Sequence, residues 1–134
     1  MTGTETDQKG RINVLLVDDE EGYVNVLSKR LSKRNINVAP FLRASDAIQA
    51  LRKKDFDVAI LDLKMEDMDG LEALKIFKRL YPPMEVIMLT GHGSQKAANE
   101  GLKLGAYDYL TKPCDLNELL AKVKAAYLKK SSSD

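Results

Sequence analysis

Short apolar runs rich in valine and isoleucine alternate along the chain with longer segments whose apolar positions recur at helical spacing. The runs NVLLV (13–17), NVAPF (37–41), DVAIL (57–61), EVIMLT (85–90) and DYLT (108–111) read as strands. Between them, Val24, Leu27 and Leu31 mark one helix face, and Ala47, Ile48 and Leu51 another. Leu71, Leu74, Phe77 and Leu80 follow the same spacing, as do Ala97, Ala98, Gly101 and Leu104. A last helix over roughly 115–128 places Leu116, Leu119, Leu120, Val123 and Tyr127 on one side. Strands alternating with helices imply right-handed crossovers and a parallel sheet covered on both faces. Three of the runs are apolar throughout, as strands buried on both faces are. Pro40 cannot donate to a ladder and pushes the second strand to a sheet edge. LYPP (80–83) ends the third helix, because proline cannot continue it.

Five such units fit an α/β fold of the flavodoxin-like doubly wound type, a five-stranded parallel sheet of order 2-1-3-4-5. A dinucleotide-binding fold would need a glycine-rich turn after the first strand. The turn here reads DDEEG (18–22) and would repel a pyrophosphate. The expected organisation is a polar tail at 1–11, one domain over 12–128 and a second polar tail at 129–134.

The composition narrows the function without naming it. A net charge of +1, with acids and bases interspersed, argues against direct nucleic-acid binding, which gathers positive charge on one face. The densest basic run, KRLSKR (29–34), lies beside Leu27 and Leu31 and reads as a solvated helix end. Cys114 is the single cysteine, so no internal disulfide and no zinc spacing exist. The first residues contain no apolar signal region, and no run approaches the roughly 20 apolar residues of a membrane span. A cytoplasmic protein without a membrane partner is expected.

Chemistry enters at the strand ends. In the order 2-1-3-4-5, ligands bind beyond the carboxyl ends of strands 1 and 3, where the strand order reverses. Strand 1 ends at Asp18 and Asp19, strand 3 at Asp62, strand 4 at Thr90, and strand 5 at Thr111 and Lys112. Glu20 and Glu21 read as the acidic start of the following helix, where the macrodipole favours negative charge. Three clustered carboxylates with no histidine or paired cysteine suit a hard divalent cation such as Mg²⁺, for which Mn²⁺ could substitute. With the ion in place, one carboxylate can act as a nucleophile toward phosphorus. Lys112 would then supply a point charge for the phosphoryl oxygens and Thr90 a hydrogen bond.

At this point LLVDDEE, DVAILDLKMEDMDGLE, VIMLTGHGS and GAYDYLTKP together resemble the receiver domain of two-component response regulators. LTGHGS is most similar to the nitrogen-regulator-like subgroup. The resemblance implies Asp62 as the phosphoacceptor, and Asp18 and Asp19 as the acid pair that holds Mg²⁺. It implies the Lys64 backbone carbonyl as a further metal ligand, Lys112 as the phosphate-contacting lysine, and Thr90 and Tyr109 as the switch pair. It also implies a cis Lys112–Pro113 bond that points the lysine into the crevice. The partners it implies are a sensor histidine kinase or phosphotransfer protein, and a downstream output domain or protein. That output would dock on the face of helix 4, strand 5 and helix 5 (94–128), where a homodimer could also form. The chain departs from the family at Glu66, where a proline is frequent.

Other features have plainer readings. His92, between two glycines, is taken as an exposed loop residue near the site, Cys114 as a packing residue, and Tyr107 as a surface or packing residue. MEDMDG (65–70) lacks the distal glutamate of a calcium loop and reads as a loop ending in a turn at Gly70. The expected function is a phosphoacceptor signalling module, whose only catalysis is its own phosphorylation and dephosphorylation. The alternative is a Mg²⁺-dependent phosphotransferase or phosphatase with an aspartyl nucleophile. Against it, such enzymes place a second acid two residues after the nucleophile, and position 64 is lysine. A flavin mononucleotide binder would need a Ser/Thr/Gly loop where DDEEG stands.

Overall fold

The computed structural model describes residues 10–91 and 95–133, so the reading of His92 falls outside the described residues. Five strands, β1 (Ile12–Val17), β2 (Ile36–Phe41), β3 (Val58–Asp62), β4 (Glu85–Thr90) and β5 (Asp108–Thr111), alternate with five helices. The helices are α1 (Glu21–Ser32), α2 (Ala44–Lys53), α3 (Gly70–Leu80), α4 (Gln95–Lys103) and α5 (Leu116–Ser133). All strands pair in parallel, in the order β2-β1-β3-β4-β5. The flavodoxin-like order is therefore the one expected, with the proline-bearing β2 at an edge.

Because side chains alternate along a strand, the sheet divides the core into two layers. Leu15, Val17, Ala59, Leu61, Val86 and Met88 face α2, α3 and α4. Val14, Leu16, Val58, Ile60, Ile87 and Leu89 face α1 and α5. Complete burial of each valine, leucine, isoleucine or methionine among them is worth roughly 1.5–3 kcal/mol, which is what holds the central strands rigid beneath the site. β3 begins at Val58, one residue later than expected, and so takes Asp62 into the strand itself.

Two helix ends depart from the periodicity. Leu104 lies past the end of α4 and is partly exposed, because Gly105 ends the helix with a φ of 108°. The Ala106 N–H donates to the Gly101 carbonyl and the Gly105 N–H to the Leu102 carbonyl, a Schellman termination. Leu80, in the last turn of α3, is also exposed rather than core-facing. At the other end of the chain, α5 continues to Ser133, where a polar tail was expected from 129. The extra turn is fastened by charge. Lys130 Nζ lies 3.1 Å from Asp57 Oδ1, and Lys129 Nζ lies 3.8 Å from Glu85 Oε2. Both acids sit at the amino-terminal base of the sheet. Tyr107 packs with the α1/α5 layer beneath the Lys129 ammonium, a packing residue as expected.

The loop after β3 is held from outside. Asp67 Oδ1 accepts the Ala44 N–H at 3.1 Å and Oδ2 the Ser45 N–H at 3.0 Å. It thereby caps α2, whose own N-cap residue, Arg43, contributes no side-chain bond. Burial opposes the charged form of Asp67, but the Ser45 and Ala44 donors outweigh it and hold its pKa below the usual carboxylate range. A depressed carboxylate pKa gives stability that is present above the unfolded value and lost as pH falls through the folded one. Asp67→Ala is therefore expected to cost about 1 kcal/mol at pH 7, the usual worth of a cap. Urea denaturation of the two proteins should show that gap, and the gap should close in strong acid.

Candidate functional site

Every strand bordering the crevice delivers a polar side chain at its carboxyl end. Asp18 is completely buried. Its Oδ1 accepts the Glu20 N–H at 3.0 Å, and its Oδ2 lies 2.8 Å from Lys112 Nζ. Asp19 Oδ2 accepts the Glu66 N–H at 3.2 Å. The residue that departs from the family's frequent proline thus supplies a donor that proline lacks. Asp62 Oδ1 accepts the Lys64 N–H at 3.3 Å, and its Oδ2 lies 3.7 Å from Lys112 Nζ. One carboxylate oxygen from each of Asp18, Asp19 and Asp62 lies within 4.8 Å of the others. Asp19, Glu20, Asp62, Lys64, Gly91 and Lys112 line an open crevice of about 360 Å³.

The electrostatics follow from this crowding. Burial and the neighbouring Asp18 push the Asp62 carboxyl up to about 6, although Lys112 and the Lys64 N–H pull the other way. Burial alone would lower the Lys112 pKa, but hydrogen bonds to Asp18 and Glu20 raise it, so the lysine is a fixed cation. An unpaired buried carboxylate would cost several kcal/mol, so Asp18 depends on that cation. The Lys112–Pro113 bond is cis, and the lysine side chain reaches the crevice, as expected.

Thr90 is buried, and its hydroxyl donates to the Leu110 carbonyl at 3.4 Å rather than pointing at Asp62. The Tyr109 hydroxyl accepts a hydrogen bond from Gln95 Nε2 at 3.0 Å, which ties β5 to the start of α4. Glu20 was not expected at the site. It occupies the N-cap position of α1 without capping it, and its side chain pairs with Lys112 instead. Its position directly after the strand-end acids was the available signal, which the helix-start reading absorbed. The Glu66 N–H carried no side-chain signal and could be found only in three dimensions.

A doubly wound sheet with three carboxylates and a lysine gathered at its switch point defines a receiver-type signalling domain. The pattern of the response regulator receiver domain family matches residues 14–124, and the chain belongs to that family. Similar proteins agree with this in sequence and in structure. The chain is 40% identical over 119 residues to the DNA-binding transcriptional regulator NtrC of Proteus hauseri, covering 89% of this chain and 25% of that protein. It is 36% identical over 118 residues to the transcriptional regulatory protein ZraR of Salmonella typhimurium, covering 88% and 27%. It thus spans about a quarter of the length of these relatives. Among solved structures, a CheY-like receiver domain protein of Methanospirillum hungatei superposes with a TM-score of 0.88 at 27% identity, covering 92% of this chain and 99% of that one. The receiver domain of NtrX from Brucella abortus gives 0.82 at 27% identity, covering 86% and 98%. The family is a signalling module of two-component systems, and the match does not favour the free-standing phosphatase alternative. Among the described residues, no helix is long and apolar enough to cross a membrane.

Proposed function

We propose that Asp62 is the phosphoacceptor of this receiver domain, and that its phosphorylation reshapes the surface of α4, β5 and α5. The observation that carries the reading is the gathering of Asp18, Asp19 and Asp62 within 4.8 Å beside the Lys112 ammonium. Asp62 Oδ attacks phosphorus, the bond from phosphorus to the donor's leaving atom breaks, and an acyl phosphate forms. With a sensor histidine kinase or phosphotransfer protein as donor, the leaving group is its histidine ring nitrogen. Lys112, 3.7 Å from Asp62 Oδ2, offsets charge on the phosphoryl oxygens.

The donor set fits a hard divalent cation, since its side-chain donors are all carboxylates, that of Asp18 fully buried. Asp18, Asp19, Asp62 and the Lys64 carbonyl would hold Mg²⁺ or Mn²⁺, which supplies charge neutralisation for an incoming phosphate. Asp19→Asn is expected to weaken Mg²⁺ binding at least about tenfold. Glu21→Gln, exposed in the first turn of α1, should leave the affinity unchanged. Equal affinities for the two variants by calorimetry would remove Asp19 from the site.

Thr90 and Tyr109 form the proposed route outward, to an output domain, a separate partner protein or a second copy docked on 94–128. The deciding experiment is the intact mass of the chain after incubation with Mg²⁺ and acetyl phosphate. One added phosphoryl group is expected. Consumption of the donor without an adduct would favour a phosphatase instead.

A further inference from the structure

The Lys112 ammonium has a neighbour that the phosphorylation chemistry does not require. Besides Asp18, Glu20 and Asp62, it lies over the ring of Tyr23, 4.7 Å from the ring centre. Tyr23 belongs to the first turn of α1 and is half-buried against the α1/α5 layer. Its hydroxyl lies 3.6 Å from the sulfur of Cys114, two residues beyond the lysine in the same loop. One aromatic side chain therefore touches the lysine through its face and the lysine's own loop through its edge.

From this geometry we infer that Tyr23 is a positioning residue for Lys112, keeping the ammonium aimed into the crevice while its carboxylate partners change. The inference rests on the reading of Asp62 and Lys112 as the phosphoryl-accepting pair. In the structure, Lys112 is divided among three carboxylates. A phosphoryl group on Asp62 must draw it from Asp18 and Glu20 toward new oxygens. Carboxylate contacts cannot guide that transfer, because they are the contacts being exchanged. A ring face can, since it attracts a cation without offering a competing oxygen. Burial and the hydrogen bond with Cys114 raise the Tyr23 pKa well above its ordinary value. The phenol thus stays neutral, and the contact is cation on ring rather than an ion pair. A free lysine stem has many rotamers, so the ring favours the aimed one.

The test compares Tyr23→Leu and Tyr23→Phe with the wild type. Tyr23→Leu should slow phosphorylation by acetyl phosphate roughly two- to fivefold, the scale of an exposed cation–ring contact. Its Mg²⁺ affinity by calorimetry should be unchanged. Tyr23→Phe keeps the ring face and should restore most of the rate. A second readout is independent of turnover. The ε-methylene protons of Lys112 should show an upfield ring-current shift by NMR in the wild type and the Phe variant, and lose it in the Leu variant. A wild-type rate in Tyr23→Leu, or an equal loss in both variants, overturns the inference. If Tyr23→Leu does not fold, absence of the upfield shift from the wild type overturns it and its presence in both remaining proteins supports it. If the wild type itself gains no phosphoryl group, the failure lies with the reading of Asp62 and not with Tyr23.

Discussion

Asp62→Asn is expected to abolish the phosphoryl adduct and, at the same time, to make the unphosphorylated protein more stable at neutral pH. The first effect follows from chemistry, since an amide of the same shape is not a nucleophile toward phosphorus. The second follows from the crowding of acids. Asp62 titrates at about 6 in the folded protein, raised by burial and by Asp18. A carboxyl whose folded pKa is raised binds its proton more tightly in the native state. The wild type therefore loses stability as pH rises from its unfolded value, about 4, through about 6. Asparagine avoids this net penalty, in which the attraction to Lys112 is already counted, though its buried amide keeps part of the desolvation cost. The expected difference is roughly 1–2 kcal/mol at pH 7, or about 3–6 °C in Tm, vanishing below about pH 4. Intact mass and thermal melts across pH measure both effects. A hydroxylamine-sensitive adduct on the variant, or a variant less stable than wild type at pH 7, would contradict the assignment.

Thr90→Ala should leave phosphorylation in place and remove most of its consequence. In the unphosphorylated structure the Thr90 hydroxyl rests on the Leu110 carbonyl of β5, and Tyr109 of the same strand is bonded to Gln95 of α4. A phosphoryl group brings up to roughly two negative charges and strong acceptor oxygens to the end of the adjacent strand. Thr90 is placed to turn toward them, which vacates space on the side where Tyr109 packs. α4 is built to respond, because Gly101 sits directly on Met88 of β4. A Cβ there would lie 2.1 Å from the Met88 sulfur, so a shift in β4 is felt by the helix at once. The phosphate biases the equilibrium only through its different interaction with the two arrangements. NMR spectra of residues 94–128, with and without beryllofluoride, should shift strongly in the wild type and little in Thr90→Ala. Equal shifts would exclude Thr90 as the coupling element.

Much of this was readable from the residues because strand ends are punctuated by chemistry. NVLLVDD and DVAILD pass from full burial to acid in one step, and the fold order then brings the acids together without further information. Contacts made by backbone groups were not readable in that way. The Glu66 N–H on Asp19 and the Ala44 and Ser45 N–H groups on Asp67 join loops far apart in sequence and depend on backbone path alone. The role of Glu20 is ambiguous in the sequence because a glutamate before a helix satisfies the dipole and the lysine equally well, and only its contact with Lys112 separates them. The last turn of α5 is not legible in the sequence, because Lys129 and Lys130 look solvated until Glu85 and Asp57 are seen beneath them.

The strict alternation of side chains along the strands has a consequence for how such a domain can diverge. By that parity, Asp18, Asp62 and Lys112 continue the row facing α1 and α5, and Tyr23 meets the lysine from that side. Asp19, Thr90 and Tyr109 continue the row facing α2, α3 and α4, where Gln95 waits. On the proposed roles, the sheet is a partition between donor-facing machinery and readout, joined at its carboxyl rim. Apart from Asp19, which reaches the metal crevice from the readout side, either side can be recast by substitution with little disturbance to the other. Gain or loss of one residue within β4 would carry Thr90 across the partition and leave a phosphorylated domain with nothing to say.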